Sequence, residues 1–265
     1  MNILVTGSSG FIGYHLCHKL LLNKHNIYGI DNLNDYYSKS LKKLRNNALQ
    51  KFSNYHFFET DIRDLDHNFK EQQIDLVINL AAQPGIRIPS EQYTKYIQSN
   101  ILGYHCVLDY CRKNNIKDII YASSSSVYGL GKSPYTESTK NLEPNSFYGQ
   151  TKLLNEKLSD LYAQAYGMSF VGLRFFTVYG AFGRPDMAYF AFANALVNKK
   201  PITLFNNGNN FRDMTHISDI VNGIEKSIKY VKKIESKNEI FNLGNNKPIK
   251  TLELLDSLAQ ISNKK

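Results

Sequence analysis

The sequence predicts an α/β fold, a doubly wound parallel sheet with a smaller, interleaved C-terminal region. Short β-branched or aromatic runs alternate with longer helical patterns, and several runs are apolar on both faces, as in a sheet covered by helices on both sides. The strand-like runs are residues 2–6, 26–30, 55–60, 75–80, 118–123 and 170–176. The helix-like stretches lie near 11–23, 38–51, 91–114 and 147–166. This βαβ alternation implies right-handed crossovers.

The regular alternation ends near residue 176. The elements predicted after it are a helix near 186–198, a short strand over PITLF (201–205), a turn-rich stretch over 206–216, a helix N-capped by Ser218, a strand over 239–244 and a last helix from Thr251. We therefore expect a first domain over residues 1–176 and a smaller region over 177–265, with 239–244 returning to the sheet.

The composition is typical of a globular chain, with 42% apolar and 21% charged residues. No apolar run approaches the roughly 20 residues that a membrane span needs, and the N-terminus lacks the basic start and cleavage site of a signal peptide. Cys17, Cys106 and Cys111 are odd in number and scattered. Their spacing indicates reduced cytosolic thiols and no metal site.

The net charge of +9 is spread over the whole chain. We interpret most of it as solvated side chains on helix faces, including the group Lys39, Lys42, Lys43, Arg45 and Lys51. A nucleic-acid-binding protein typically concentrates its basic residues on one face and carries a recognisable motif. No such motif is present in the sequence, and a smaller share of the charge suits an anionic small ligand.

A glycine-rich turn follows the first predicted strand and opens the first helix. Gly7, Gly10 and Gly13 have the spacing GxxGxxG, which allows a tight turn and close approach of backbone to a pyrophosphate at the helix N-terminus. A plain strand–helix turn is the alternative. Asp31 ends the second strand 18 residues after Gly13. An acid there accepts from a ribose 2′-OH and repels a 2′-phosphate, which favours NAD over NADP.

Two further strand ends offer weaker cofactor contacts. Asp61 and Ile62 follow the third strand, where a side chain can meet the adenine, although Asp61 is equally suited to cap a helix. Ala81, Ala82 and Gln83 follow the fourth strand and offer small residues where backbone passes close to the cofactor.

A phenol and an ammonium lie four residues apart in Tyr148-Gly-Gln-Thr-Lys152, on one face of a predicted helix. A second YxxxK pair, Tyr128 and Lys132, has two glycines between its ends and lies in a turn, so it does not share a helical face. A nearby Lys⁺ favours the phenolate and lowers the pKa of Tyr148. Lys152 is also suited to bind nicotinamide ribose hydroxyls.

Four serines, Ser123 to Ser126, end a predicted strand at the carboxyl edge of the sheet, where ligands of open α/β folds bind. One hydroxyl there can hydrogen-bond the oxygen being oxidised and pass its proton towards Tyr148. With Tyr148 and Lys152, this serine forms a site suited to alcohol oxidation.

The motifs together resemble the extended short-chain dehydrogenase/reductase family, the NAD-dependent epimerase/dehydratase group. The matching segments are TGSSGFIG, YGQTK, FNLG and the RD of FRDMTH. A closer resemblance is to the nucleotide-sugar 4-epimerases that act on UDP-glucuronate. It rests on AAQPGIR, QSNILG, YASSSSVYG, LRFFTVYG and GRPDMA.

The resemblance implies a Rossmann domain that binds NAD, a substrate-binding region after it, and a catalytic set of Ser124, Tyr148 and Lys152. It adds further contacts to those already assigned. The cofactor residues are then Gly7, Gly10, Phe11, Ile12, Gly13, Asp31, Asn32, Asp61, Ile62, Ala81, Ala82, Gln83, Asn100, Tyr148 and Lys152. The substrate residues are Arg87, Ser125, Ser126, Thr177, Arg184 and Arg212.

The implied reaction is 4-epimerisation, in which Tyr148 takes the proton of the sugar 4-OH and hydride passes from C4 to NAD and back to the other face. Related dehydratases carry an Asp-Glu pair just after the catalytic hydroxyl, and related decarboxylases carry a Glu nearby. Ser125 and Ser126 stand at those positions here. Neither elimination nor decarboxylation has its acid.

The resemblance implies that Ser125, Ser126 and Thr177 hold the glucuronate carboxylate, with Arg184 as a weaker candidate. Galactose-type epimerases carry Asn at the position of Thr177, although Thr177 also suits a residue that merely fills space at a strand end. Arg212 is expected to meet the diphosphate, with an ion pair to Asp213 as the alternative.

Family members continue for some tens of residues past the helix that ends here at SNKK, so we expect a shortened C-terminus. Two other functions stay open: epimerisation of UDP-glucose or UDP-N-acetylglucosamine, and a non-catalytic NAD-binding protein. The resemblance also implies a homodimer, joined through a four-helix interface formed by residues near 91–114 and 147–166. From the cysteines, the charge and the hydropathy we expect a cytoplasmic protein with no nucleic-acid or membrane partner.

Overall fold

A seven-stranded parallel sheet forms the centre of the computed structural model, which describes residues 1–69, 73–86, 88–131 and 133–262. The strands in chain order are β1 Asn2–Thr6, β2 Asn26–Asp31, β3 Tyr55–Glu59, β4 Leu76–Asn79, β5 Asp118–Ser124, β6 Ser169–Phe175, β7 Thr177–Tyr179, β8 Phe211–His216, β9 Asn238–Leu243 and β10 Pro248–Lys250. The sheet order is β3-β2-β1-β4-β5-β6-β9, and every pairing in it is parallel.

Helices cover both faces of the sheet, which confirms the predicted doubly wound class. They are α1 Phe11–Leu22, α2 Lys39–Leu49, α3 Leu65–Asn68, α4 Tyr93–Tyr96, α5 Gly103–Lys113, α6 Phe147–Tyr166, α7 Ala188–Val197, α8 Ile217–Val231 and α9 Thr251–Ile261. One apolar core lies beneath α1 and α8, and the other lies beneath α5 and α6. Each core consists of strand and helix side chains removed from water, which is the dominant favourable contribution to folding.

The predicted helix near 91–114 is interrupted. A short 3-10 turn at Ser90–Gln92 and α4 lead into a π-helical segment, Ile97–Leu102, and α5 follows without a break. Such π segments inside helices occur frequently at functional sites. This one carries the buried Asn100.

The order of the strands reverses between β1 and β4: β2 and β3 lie on one side of β1, and β4 and the later strands lie on the other. In open α/β sheets, ligands bind in the crevice outside the carboxyl ends of the strands at such a point. Thr6, at the end of β1, donates to the amide oxygen of Asn79 at 2.6 Å and so fixes the two strand ends against each other. The topology therefore places the ligand site where the glycine turn and the serines meet.

The chain beyond residue 176 contributes to two places. β7, β8 and β10 form a separate three-stranded sheet, and residues of all three strands line the cleft. β9 pairs with β6 in the main sheet, and α8 packs against α1.

Two secondary-structure predictions in this region are wrong. Residues 201–204 form no regular element and lead into a 3-10 turn, Phe205–Gly208, in which Asn206 and Asn207 have positive φ. Residues 211–216, predicted as turn, form β8 because β7 and β10 pair with them from distant parts of the chain. Such non-local pairing is not visible in a local pattern.

The N-cap prediction for α8 is also wrong. The helix begins at Ile217, and the cap is His216, whose Nδ1 accepts from the Ser218 backbone N–H at 3.3 Å. In the part of the chain that the structure describes, no helix combines the length and apolarity required to cross a bilayer.

Candidate active site

A cleft of about 710 Å³ opens at the carboxyl edge of the main sheet. Nearly all the predicted site residues line it. They are Gly7, Gly10, Phe11, Ile12, Gly13, Asp31, Asn32, Asp61, Ile62, Ala81, Ala82, Ser124, Ser125, Ser126, Tyr148, Lys152, Thr177, Arg184 and Arg212. Arg87, like Lys132 of the second YxxxK pair, lies outside the described residues.

The glycine turn is closed tightly against the neighbouring strand end. Gly7 has φ +71°, and a Cβ there would lie 2.8 Å from the Ala81 nitrogen. A Cβ on Gly13 would lie 2.1 Å from the Gly7 carbonyl oxygen. Gly10 caps α1 with no side-chain hydrogen bond. The first N–H groups of the helix are thus available to an anion, and the turn fits a dinucleotide diphosphate.

Asp31 lies at the end of β2, as predicted, and is held by backbone donors. It accepts from the N–H groups of Ser9 at 3.1 Å and Leu33 at 2.9 Å. Burial raises the pKa of the Asp31 carboxyl, while the charge of Lys42 and the two backbone hydrogen bonds oppose that rise. The carboxylate faces the cleft where the glycine turn ends.

Asp61 combines the two predicted alternatives, because it lines the cleft and also caps the 3-10 turn Ile62–Asp64. Its carboxylate accepts from Arg63 Nε at 2.8 Å and from Asn32 Nδ2 at 2.8 Å. Burial raises its pKa, but the hydrogen bonds from Arg63 outweigh that effect, so the pKa lies below its ordinary value.

Gln83 and Asn100 do not line the cleft. Asn100 accepts from the Gln83 N–H at 2.7 Å and donates to the Gln83 carbonyl at 3.1 Å and the Thr151 hydroxyl at 3.0 Å. Asn155 donates to the Asn100 carbonyl at 2.7 Å. These buried amides join the strand end after β4, the π segment and α6.

Tyr148 and Lys152 lie one turn apart on α6, whose N-cap Ser146 accepts from the Gly149 N–H at 3.1 Å. Lys152 Nζ donates to the Ala122 carbonyl at 2.8 Å and lies 5.8 Å from the centroid of the Tyr148 ring. Lys152 is 2% exposed, and burial lowers its pKa to about 8.

Burial raises the pKa of Tyr148, whereas the charge of Arg184 and a hydrogen bond with Ser124 act in the opposite direction. The net effect is a raised pKa of Tyr148, whereas the sequence predicts a pKa lowered by Lys152. The positive charge felt by the phenol comes from Arg184, on the other side of the cleft. Ser124 and Tyr148 both line the cleft.

The four serines point in different directions. Ser123 donates to Glu156 at 2.5 Å, and Glu156 is ion-paired with Arg174 at 2.8 Å. Ser124 Oγ caps the following 3-10 turn by accepting from the Ser126 N–H at 3.1 Å. Ser125 and Ser126 are half-buried and line the cleft.

The chain after β6 carries further predicted substrate residues that line the cleft. Thr177 begins β7, directly after the end of β6. Arg184 donates to Asp186 at 3.0 Å, and the Tyr36 hydroxyl donates to the same carboxylate at 3.1 Å. Although burial raises it, the pKa of Asp186 lies below its ordinary value because of the hydrogen bonds and charge of Arg184.

Arg212 is exposed and donates to the Phe211 carbonyl at 2.9 Å. Within the described ranges it forms no ion pair with Asp213, which instead accepts from the Asn245 N–H at 2.7 Å. The guanidinium therefore faces the cleft without a carboxylate partner there.

Sequence reasoning missed the basic side chains of α2. Lys42 is 5% exposed and lines the cleft, and Arg45 is 1% exposed, so the prediction that both are solvated is wrong. The signal was present: Lys42, Arg45, Asn46 and Leu49 share the i, i+3, i+4, i+7 spacing of a buried helix face. Lys42 donates to the carbonyl and side-chain oxygens of Asn34 at 2.9 and 2.7 Å.

A glycine cradle with an acid after the second strand, opposite a Ser–Tyr–Lys set at the same sheet edge, defines a dinucleotide-dependent enzyme of the short-chain dehydrogenase/reductase class. The chain belongs to the NAD dependent epimerase/dehydratase family, whose model matches residues 3–244. NAD is accordingly its cofactor.

Individual proteins of known sequence or structure are similar to the whole chain. An uncharacterized protein of Methanocaldococcus jannaschii is 45% identical over 270 residues, which cover 100% of this chain and 82% of that protein. UDP-glucuronate 4-epimerase 4 of Arabidopsis thaliana is 39% identical over 272 residues, which cover 96% of this chain and 62% of that protein.

A crystal structure of UDP-glucuronic acid 4-epimerase from Bacillus cereus, in complex with UDP-glucuronic acid and NAD, superposes with a TM-score of 0.91. Its sequence is 34% identical, and the match covers 100% of this chain and 84% of that one.

Proposed function

We propose that this chain is an NAD-dependent nucleotide-sugar 4-epimerase that interconverts UDP-glucuronate and UDP-galacturonate. One observation carries the proposal: Ser124, Tyr148 and Lys152 line the same cleft as three neutral hydroxyls, Ser125, Ser126 and Thr177. The similarity to UDP-glucuronate 4-epimerases supports the same substrate.

The glycine turn, Asp31 and Lys152 would hold NAD in the cleft, and the bound cofactor would supply reversible hydride transfer at C4 of the sugar. The chain supplies the proton transfer. Tyr148 takes the proton of the 4-OH, Ser124 hydrogen-bonds that oxygen and relays the proton, and Lys152 holds the ribose hydroxyls. Because burial works against the phenolate, we infer that its formation depends on positive charge brought near Tyr148.

A 4-keto glucuronate is a β-keto acid and tends to lose CO₂. Ser125, Ser126 and Thr177 hold its carboxylate in an unreactive orientation by hydrogen bonds. Among the described residues that line the cleft, the acids are Asp31, Asp61 and Asp186. Asp61 and Asp186 are engaged by arginines, and Asp31 lies at the glycine turn. None of them replaces the acid that elimination requires after Ser124.

The two ends of the cleft bind the two nucleotides. Gly7, Gly10 and Gly13 surround the NAD diphosphate, and Asp31 accepts from the adenosine ribose. Arg212, which has no acidic partner among the residues that the structure describes, meets the UDP diphosphate, and Arg184 is a weaker carboxylate contact because Asp186 already neutralises it.

Product analysis tests the substrate. Incubation with UDP-glucuronate is expected to give UDP-galacturonate as the main product, with little UDP-pentose, because no acid assists loss of CO₂. The 4-epimers are resolved chromatographically after separate incubations with UDP-glucuronate, UDP-glucose and UDP-N-acetylglucosamine. Conversion of the neutral sugars alone would contradict the proposal, and no turnover with NAD and UDP-sugar both bound would identify a non-catalytic binding protein.

We also propose a homodimer joined through the π segment, α5 and α6. Apolar side chains are exposed there: Leu102 at 47%, Leu154 at 38% and Leu161 at 56%. The Leu161→Asp variant is expected to shift the molar mass from light scattering from dimer to monomer at micromolar concentration, because burial of the charge in the interface is unfavourable. Leu130→Asp, at the equally apolar and 84% exposed Leu130, is the control. A monomeric wild-type chain would contradict this interface.

The proposed location is the cytoplasm. Cys17, Cys106 and Cys111 are free thiols, and Cys17 and Cys111 are fully buried, where burial raises the pKa of each thiol. Free thiols persist in reducing compartments. Thiol labelling of the denatured chain straight from cells should find all three reduced, and an oxidised pair would contradict the location.

A further inference from the structure

Arg45 is a fully buried cation whose ligands are neutral oxygens. It lies on α2 and is 1% exposed. Nη1 donates to the Ser9 carbonyl at 3.1 Å and the Tyr37 hydroxyl at 2.6 Å. Among the described residues, no carboxylate lies within ion-pair distance of it, and its Nε has no hydrogen-bond partner. A buried charge held this way is costly to the fold, which points to a functional reason for keeping it.

The carbonyls around Arg45 come from two separate segments of the chain. Ser9 belongs to the glycine turn, and its own N–H donates to Asp31. The second segment follows β7, and Nη2 donates to its carbonyls of Phe182 at 2.5 Å and Gly183 at 3.3 Å. These two residues immediately precede Arg184 on the wall that carries the substrate residues. One guanidinium therefore connects the cofactor turn to the substrate-side segment.

The substrate-side segment has few other supports. Phe182 has φ +55° and is 45% exposed, and its ring contacts Tyr14 with centroids 5.4 Å apart. His15 on α1 contacts the Ala181 carbonyl at 2.8 Å. A positive φ at a residue with a bulky side chain is held only by its surroundings. The Arg45 hydrogen bonds are thus the main polar restraint that orders the segment before Arg184.

We propose that Arg45 is a positioning residue that couples the two ligand sites, so that NAD and the UDP-sugar each strengthen binding of the other. This inference rests on the proposed function. A diphosphate in the glycine turn fixes the Ser9 carbonyl, and a substrate on the opposite wall fixes the backbone around Arg184. Whichever ligand binds first restricts the segment that it contacts and, through the Arg45 hydrogen bonds, the other segment, so the second ligand loses less conformational freedom on binding.

Calorimetric titrations with NAD and UDP test the coupling in both directions. In the wild-type chain, saturating NAD is expected to lower the Kd of UDP about fivefold or more, and saturating UDP should lower the Kd of NAD by the same factor, since coupling is reciprocal. The methionine of Arg45→Met cannot donate to the carbonyls of Ser9, Phe182 and Gly183, so both factors should fall to about one.

Two further variants keep the test interpretable. Arg45→Lys retains the charge but lacks the planar fork that spans both walls, so it should fold and still lose most of the coupling. Lys43→Met changes an exposed lysine of the same helix and should retain the wild-type factor. If Arg45→Met does not fold, Arg45→Lys alone decides.

The inference is overturned if both ligands bind the wild-type chain without affecting each other, or if the Arg45 variants keep the full factor. Failure of UDP to bind the wild-type chain at all is a different result. It would contradict the proposed function itself, and the inference that rests on it.

Discussion

Replacement of Lys152 by methionine is expected to lower epimerisation by at least about a hundredfold and, at the same time, to stabilise the NAD-free chain at pH 7. The loss of activity follows from the proposed role of Lys152, which holds the cofactor ribose one turn from Tyr148, since misplacement of reacting groups costs about 10²-fold in rate. The gain in stability follows from its burial.

The sign of the stability effect comes from the pKa of Lys152, which burial lowers from 10.5 to about 8. Between these values the unfolded chain binds the proton and the folded chain does not, so the free energy of unfolding of the wild type rises as pH rises from about 8 to 10.5. At pH 7 both states are protonated, and the folded state carries the full cost, about 3 kcal/mol.

Methionine removes that cost but loses the hydrogen bond to the Ala122 carbonyl, worth about 1 kcal/mol. The expected net gain is about 2 kcal/mol at pH 7, shrinking towards pH 9.5. Urea unfolding of wild type and variant at both pH values measures it. Tyr148→Phe is the matched control. This variant loses activity, but burial raises the pKa of Tyr148, so the difference in free energy of unfolding between wild type and Tyr148→Phe should not change with pH in this range. A gain that does not change with pH would contradict the assignment to the buried charge.

The sheet could be predicted from the sequence because each βαβ unit carries its signal locally, in short apolar strands and amphipathic helices. The glycine turn, Asp31 and the Tyr148–Lys152 pair lie at the ends of those elements, so the topology brings them into one cleft. β8 could not be predicted in this way, since its partners β7 and β10 are distant in the chain.

The polar residues behind the cleft were harder to predict. Composition predicts Arg45 and Lys42 as surface charges in a lysine-rich helix. The backbone carbonyls that accept their hydrogen bonds are identified only by the structure. Ser123 illustrates the same limit. The sequence does not distinguish it from the three serines that follow. In the structure its hydroxyl donates to Glu156 on α6, a residue that belongs to no motif in the sequence.

The buried ion pair that Ser123 contacts should be sensitive to loss of one partner and tolerant of loss of both. Glu156 and Arg174 are joined by two hydrogen bonds, at 2.9 and 2.8 Å, and both side chains are almost fully buried. Glu156→Gln is expected to lower the free energy of unfolding by about 3–5 kcal/mol, because it leaves the Arg174 charge buried without its counterion.

The double variant Glu156→Gln, Arg174→Met should recover most of that loss, because it leaves no unpaired charge in the interior. Glu225→Gln provides the control, since its pair with Lys19 is partly exposed with atoms 4.0 Å apart and contributes less than about 1 kcal/mol. Urea unfolding of the four proteins measures these differences. If the single and double variants are equally destabilised, the pair acts through packing and its hydrogen bonds to Ser123 and Tyr128, not through its charges. If the double variant has a higher free energy of unfolding than Glu156→Gln, the destabilisation comes from the unpaired buried charge. Each member of the pair is then needed mainly to neutralise the other.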